Sequence, residues 1–433
     1  MPLSSHGVGG PGLRRTGPTV GIMPNTADTG SDAPIDVTPL LDDPYTAYAA
    51  LREAGPVHRI TGADGNPAWL VTRYDDVRRA LADPRLSLDK KHAAPGGYRG
   101  FSLPPALDAN LLNMDPPDHT RIRRLVGKAF TPGRVEALRE PVRKTADELL
   151  DAMADRGRAD LMTDYAGPLP MTVIYDLLGI PYRDRRDFLA WSNALFTPDP
   201  SRPELMKEAI GAMLEFFTGL IAAKRAEPGD DLLSDLVAVR DDRTGGEDDG
   251  AGGERLTEDE LTSLAFLILF AGYENTVHLI GNAVLTLFDH PEQLRQLRHD
   301  PAEIPSAVEE FLRYDGPGPL SIRRFPKEDL EIGGVRIAAG ESVLLSIASA
   351  NRDPARFTDP DTFDRGRDLS GHLGLGHGIH YCLGAPLARM EATIALEALL
   401  GRFPGLRLDV PRGDLRHRRS LRSRGLISLP IAF

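Results

Sequence analysis

Cys382 is the only cysteine among 433 residues. It stands in the run Gly374-Leu375-Gly376-His377-Gly378-Ile379-His380-Tyr381-Cys382-Leu383-Gly384. Glycines at that density let a backbone loop turn tightly and approach a flat cofactor closely. Pro386 and the apolar pattern to Leu400 predict a helix that opens just past the thiol. The N–H groups at that helix start would face the sulfur, favour its thiolate form and temper its electron donation. A lone cysteine is more often inert packing, but this setting suits a metal ligand. On haem iron such a thiolate pushes electron density toward O–O cleavage.

Three further constellations could do chemistry. His119 and Arg123 are four apart after Pro117, and Glu310 and Arg313 are three apart, so each pair shares a helix face. Glu274, Asn275 and Thr276 lie midway along an apolar helix, three polar residues in a stretch whose flanks are apolar all round.

The elements that must position these residues follow from periodicity. Helical spacing appears over 43–54, 74–82, 118–130, 133–155, 168–178, 183–196, 202–226, 230–240, 292–299, 303–314 and 385–402. Thr257 with Glu260 reads as a capping box that opens one long helix running to about Asp289. That helix is apolar on almost every side from Leu264 to Ala271, so it should be central and buried. Strands are expected at 57–60 and 68–71, between Arg323 and Ser346, and at the C-terminus. Residues 88–110 hold no clear period, and a loop of that length is usually functional. The acidic, Gly-rich stretch 241–254 reads as a surface loop. Residues 1–34 read as a disordered leader, with Met23 as an alternative start, and 35–433 as one domain, mainly α with a minor β region.

Composition narrows the function classes. A net charge of −12 argues against nucleic acid as the main partner. One cysteine can form no intrachain disulfide and cannot ligate an iron–sulfur cluster, and no flavin motif is present. No apolar run reads as a signal or membrane anchor, so a cytoplasmic protein with no membrane partner is expected.

The glycine–cysteine run resembles the haem-binding signature of the cytochrome P-450 family, F-G-x-G-x-H-x-C-x-G. It matches at Gly376, Gly378, His380, Cys382 and Gly384, and departs at Leu375, where the family usually has Phe. Glu310-Phe311-Leu312-Arg313 resembles the family's E-x-x-R motif. Phe270-Ala271-Gly272-Tyr273-Glu274-Asn275-Thr276 resembles A-G-x-[ED]-T-T, with Asn275 where a catalytic Thr normally stands. The likeness spans about residues 40 to 433. Segments such as Asp43-Pro44-Tyr45 and Asn351-Arg352-Asp353-Pro354 carry it toward soluble actinobacterial members that hydroxylate macrolides and similar secondary metabolites.

That resemblance implies a triangular prism of helices with small sheets around haem b. It makes Cys382 the iron ligand, and assigns His119, Arg123, Arg324 and His380 to the haem propionates. Gly376 and Gly384 would approach the cofactor, and Ala271 and Gly272 would leave space for O2 and substrate. Glu274, with Asn275 or Thr276, would relay protons. Phe270, Leu320, Leu426 and Ile427 would wall the substrate pocket, with 88–110, the region around 190–205 and Gly316 to Ile322. Glu310, Arg313 and Arg367 would form a buried structural cluster. The implied activity inserts one atom of O2 into an apolar or amphipathic small molecule, by hydroxylation or epoxidation. The substrate would be macrolide-, terpenoid- or steroid-like. Electrons would come from ferredoxin and ferredoxin reductase to a monomeric enzyme. A basic patch of Arg121, Arg124, Lys128 and Arg389 could receive the donor. Asn275 leaves open oxidative coupling or peroxide-driven oxidation, and a haem-thiolate sensor without turnover is the remaining alternative.

Overall fold

The capping box at Thr257 forms as its residues dictate. Thr257 Oγ1 accepts from the Glu260 N–H at 3.1 Å, and Glu260 Oε2 accepts from the Thr257 N–H at 2.8 Å. This is a computed structural model, and it describes residues 34–62, 64–98, 103–196, 202–241 and 255–433. The expected leader, save residue 34, and the acidic stretch from 242 onward lie outside the described residues.

Helices dominate. The site is built on α1 (Asp118–Ala129), α2 (Glu258–Gly272), α3 (Glu274–Asp289), α4 (Ile304–Tyr314) and α5 (Ala385–Arg402). α2 and α3 replace the single long helix expected from the sequence. The chain breaks at Tyr273, where φ is −89° and ψ −66°. Two side chains bond back to carbonyls one turn earlier: Asn275 Nδ2 donates to Ala271 at 3.4 Å, and Thr276 Oγ1 to Gly272 at 3.3 Å. Gly272 is a poor helix former, and such back-bonding bends helices. The expected helix over 133–155 also divides, into Pro132–Ala137 and Arg139–Ala154. A short helix over Thr38–Asp42, with Pro39 in its first turn, precedes the expected start at Asp43.

The segment Glu258–Asp289 is long and apolar enough to cross a membrane, yet 61% of its most apolar stretch is buried inside the protein. Leu261, Leu264, Ala265, Phe266 and Leu269 of α2 and Leu279, Ile280 and Ala283 of α3 pack in the main helical core. α5 joins it through Ile394, Ala395, Leu396 and Leu399.

The minor β region contains β1 (Val57–Thr61), β2 (Pro67–Val71) and β3 (Val343–Leu345). β1 pairs antiparallel with β2 in the register Val57↔Val71, and β2 pairs parallel with β3 in the register Leu70↔Leu344. This sheet anchors two smaller apolar clusters, one of which includes Tyr48, Ile60, Leu70 and Leu344.

Candidate active site

The loop before α5 is shaped by its glycines. Gly376 and Gly378 have φ of +79° and +76°, a region L-residues with side chains rarely adopt. A side chain on Gly374 would collide with the Leu312 carbonyl of α4 at 2.6 Å. The loop closes on itself through a 2.9 Å bond from the Cys382 N–H to the Leu375 carbonyl. Gly384 then caps α5. Burial pushes the Cys382 thiol up, while the Gly384 N–H and the charges of Arg123 and Arg389 pull it the other way.

Beside this thiol the structure gathers cations and donors from three separate elements. His119 of α1 is 1% exposed, and neither ring nitrogen has a hydrogen-bond partner. Its ring centroid lies 4.2 Å from that of His380. Arg123, one turn further along α1, donates Nη2 to the carbonyl of Tyr381 at 2.5 Å. Arg324 is buried, and its Nε has no partner. Burial lowers that guanidinium to about 10 against the opposing charges of Asp115 and Asp83. Burial, then the nearby His119 and Arg324, push the His380 ring down to about 3, so it is neutral and can donate or accept.

Buried donors are almost always paired, yet neither ring nitrogen of His119 is, nor is Arg324 Nε, although Arg324 Nη1 donates to the Leu86 carbonyl at 3.3 Å. An acidic, planar group with iron above the thiol would satisfy them, so the residues present fit haem, its propionates on these donors and its metal on Cys382.

The other expected residues fall into distinct settings. Ala271 and Asn275 are exposed at the break between α2 and α3, although the helix on either side is buried. Thr276 is buried beneath them. Glu274 makes two contacts: Oε2 with Arg422 Nη2 at 3.2 Å, and Oε1 with His278 Nε2 at 3.5 Å. Burial pushes its carboxyl up, but His278 and Arg422 outweigh that and hold it below the usual range. Phe270 is half-buried, with the Arg422 guanidinium 5.0 Å from its ring centre. Ile427 is 59% exposed, whereas Leu426 is 1% exposed and packs in the main core. Of these two neighbours only Ile427 is open to solvent. Leu320 is half-buried and bridges to Ser346.

Glu310 and Arg313 of α4 are fully buried and joined by two bonds of 2.7 Å. Arg313 Nη1 also donates to the carbonyls of Asn351 and Pro360, each at 2.9 Å. Arg367 stands 3.6 Å from Glu310, beyond hydrogen-bond reach but within ion-pair range. Arg121 and Arg389 of the expected basic patch are neutralised, by Glu260 and Glu309. Arg422 and His278 did not emerge from the sequence. The signal for His278 was its place four residues after Glu274; Arg422 carried none.

A mainly helical fold with one thiol on a glycine loop, flanked by buried donor nitrogens that lack partners, defines a haem-thiolate protein. More particularly, the chain belongs to the cytochrome P450 family, whose pattern, described as Cytochrome P450, matches residues 44–418. It is 48% identical to Cytochrome P450 107B1 of Saccharopolyspora erythraea, over 90% of this chain and 95% of that one. It is 45% identical to 6-deoxyerythronolide B hydroxylase of the same organism, over 90% and 96%. Among solved structures, the ligand-free P450 monooxygenase TamI superposes with a TM-score of 0.83 at 45% identity, covering 93% of this chain and 94% of that one. The protein is a haem-binding monooxygenase.

Proposed function

We propose that this enzyme oxygenates an apolar or amphipathic polyketide-like molecule, of the macrolide kind, by hydroxylation or epoxidation. The observation that carries the reading is the set of unpartnered nitrogens, both of the His119 ring and Nε of Arg324, beside the buried Cys382. A relative named 6-deoxyerythronolide B hydroxylase and another named mycinamicin IV hydroxylase/epoxidase support the substrate class.

When bound, haem with a thiolate ligand supplies reductive activation of O2, one atom of which enters the substrate while the other leaves as water. The chain's own residues do the rest. Cys382 holds the iron, and the Gly384 N–H steadies its negative charge. His119, Arg123, Arg324 and His380 bind the propionates, with Gly376 letting the loop lie close. Ala271 and Gly272 would leave room for O2 and substrate beside the cofactor, and Phe270, Leu320, Leu426 and Ile427 would wall the substrate. Glu274, held ionised, takes up protons and passes them inward. Asn275 orients water with its carboxamide, which offers two donors and an acceptor in one plane.

The electrons come from a separate ferredoxin with its reductase, to a cytoplasmic, monomeric enzyme. Residues 35–433 make up a single catalytic domain. The test supplies NADH, a generic ferredoxin system and isotopically labelled O2 to a panel of macrolactones, terpenoids and steroids. One labelled atom should enter a macrolactone, in step with NADH consumption. Dimerised phenolic products, or label-free oxidation driven by peroxide alone, would replace this reading with oxidative coupling or peroxide chemistry.

A further inference from the structure

Glu274, His278 and Asn282 stand four residues apart and lie along one face of α3. The C-terminal loop runs along that face. Arg422 reaches Glu274 at 3.2 Å, and Asn282 Nδ2 donates to the carbonyls of Arg424 and Asp315, each at 3.0 Å. Between them the loop presses Gly425 onto His278: any side chain there would sit 2.0 Å from the ring's Nδ1.

His278 is 2% exposed. Its Nε2 lies 3.5 Å from Glu274 Oε1, at the outer edge of hydrogen-bond range, and neither ring nitrogen has a closer partner. A position this apolar would be served better by a hydrocarbon side chain if packing were its only task, because burying an underpaired polar ring costs free energy. What distinguishes the ring is that its nitrogens can each donate or accept and can carry a proton from one partner to another.

Glu274 therefore has two partners of different character. Arg422 is 62% exposed along its side chain and always charged, so it can only donate. His278 is sealed inside and can carry a proton. The other charged and titratable groups acting on the pair are Arg418 of the C-terminal loop and Tyr273 at the break. Beyond Asn282, Arg424 and Asp315 neutralise one another at 2.5 Å.

We propose that His278 is the inner proton partner of Glu274, an imidazole–carboxylate pair that keeps one transferable proton inside the protein beside the helix break. The inference rests on the reading that Glu274 supplies protons to the reaction. In the step, the His278 imidazolium gives its Nε2 proton to the Glu274 carboxylate, leaving a neutral ring and a neutral acid. Glu274 releases that proton inward and returns to carboxylate. A proton from solvent, entering on the Arg422 side, restores the imidazolium, and no electrons move. His278 acts through Glu274 and is a positioning residue of the proton route.

His278→Gln keeps a donor of similar reach but nothing that titrates. It should leave the thermal midpoint and substrate Kd unchanged. It should raise hydrogen peroxide released per NADH several-fold and alter the pH profile of coupling. Independently of turnover, nitrogen-15 histidine NMR of the reduced, carbon-monoxide-bound protein should show the His278 ring signal, identified by its loss in His278→Gln, moving when Glu274 is replaced by Gln. If His278→Gln does not fold, His278→Asn carries the same comparison. A ring signal indifferent to Glu274→Gln overturns the inference. So does unchanged coupling in His278→Gln while Glu274→Gln uncouples, and there the reading of Glu274 stands. Unchanged coupling in Glu274→Gln removes both.

Discussion

At the scale of single residues, the chemistry turns on what Cys382 and Asn275 can reach. Only a negatively charged sulfur on the iron gives the reduced carbon-monoxide complex its strongly red-shifted Soret band. The wild-type protein should show that band, and Cys382→His should lose it whether or not haem is retained. A band at the blue-shifted position of an imidazole or neutral thiol ligand, in folded wild-type protein, would exclude Cys382 as the ligand. Asn275 is exposed at the helix break with its amide 3.4 Å from the Ala271 carbonyl, a long bond easily exchanged for water. Asn275→Ala should raise peroxide release per NADH with little change in substrate affinity, and Asn275→Thr should retain most coupling. Identical peroxide yields in wild type and Asn275→Ala would place the proton route elsewhere.

At the scale of elements, α4 ties the loop of Cys382 to the rest of the core from two adjacent residues. Glu310 is sealed with Arg313, so Glu310→Ala strands a buried guanidinium and should cost about 3–5 kcal/mol. Chemical denaturation of the haem-loaded protein measures this, and a loss near zero would mean that Arg313 is satisfied by its carbonyl partners alone. Glu309 points the other way. Partial burial pushes its carboxyl up, but Arg389, at 2.5 and 2.8 Å, and His372, at 3.0 Å, hold it at about 2. Its folded value is below the unfolded ~4.3, so its stabilisation is complete above that value and is lost as pH falls through about 2. The stability gap between wild type and Glu309→Gln should therefore be constant near neutrality and close between pH ~4.3 and about 2. A gap that does not narrow with acid would mean that these bonds contribute nothing to folding.

At the scale of the whole molecule, an acidic chain must still receive an electron donor. The net charge is −12, yet Lys128 and Arg124 are exposed on α1, the helix that also carries His119 and Arg123. Nearby residues of the cysteine loop, with Arg78 and Arg389, line a groove of about 350 Å³. Arg121 and Arg389 are ion-paired; Lys128 and Arg124 are exposed on α1, and Arg78 lines the groove. Reversing charge at Arg124 and Lys128 should slow first-electron transfer from an acidic ferredoxin at low salt, and added salt should shrink the difference. Stopped-flow reduction under carbon monoxide reads this directly, and equal rates at low salt would move the docking surface off α1.

The sequence by itself determined what depends on local spacing. The glycines around Cys382, the Thr257 capping box, the Glu310–Arg313 pair and most helix limits were legible because each needs only residues a turn or a few positions apart. The family resemblance added the long-range members Arg324 and Arg367. What only the tertiary structure decided is which distant segments meet. The break at Tyr273 depends on side chains bonding back across it, in a stretch whose apolar periodicity runs on unbroken. Leu426 and Ile427 are adjacent and equally apolar, and only the path of the C-terminal loop sends one into the core and leaves the other exposed. Arg422 meets Glu274 across 148 positions. No pattern in an Arg-rich loop distinguishes that guanidinium from its neighbours, because contact between distant residues is set by packing and not by propensity.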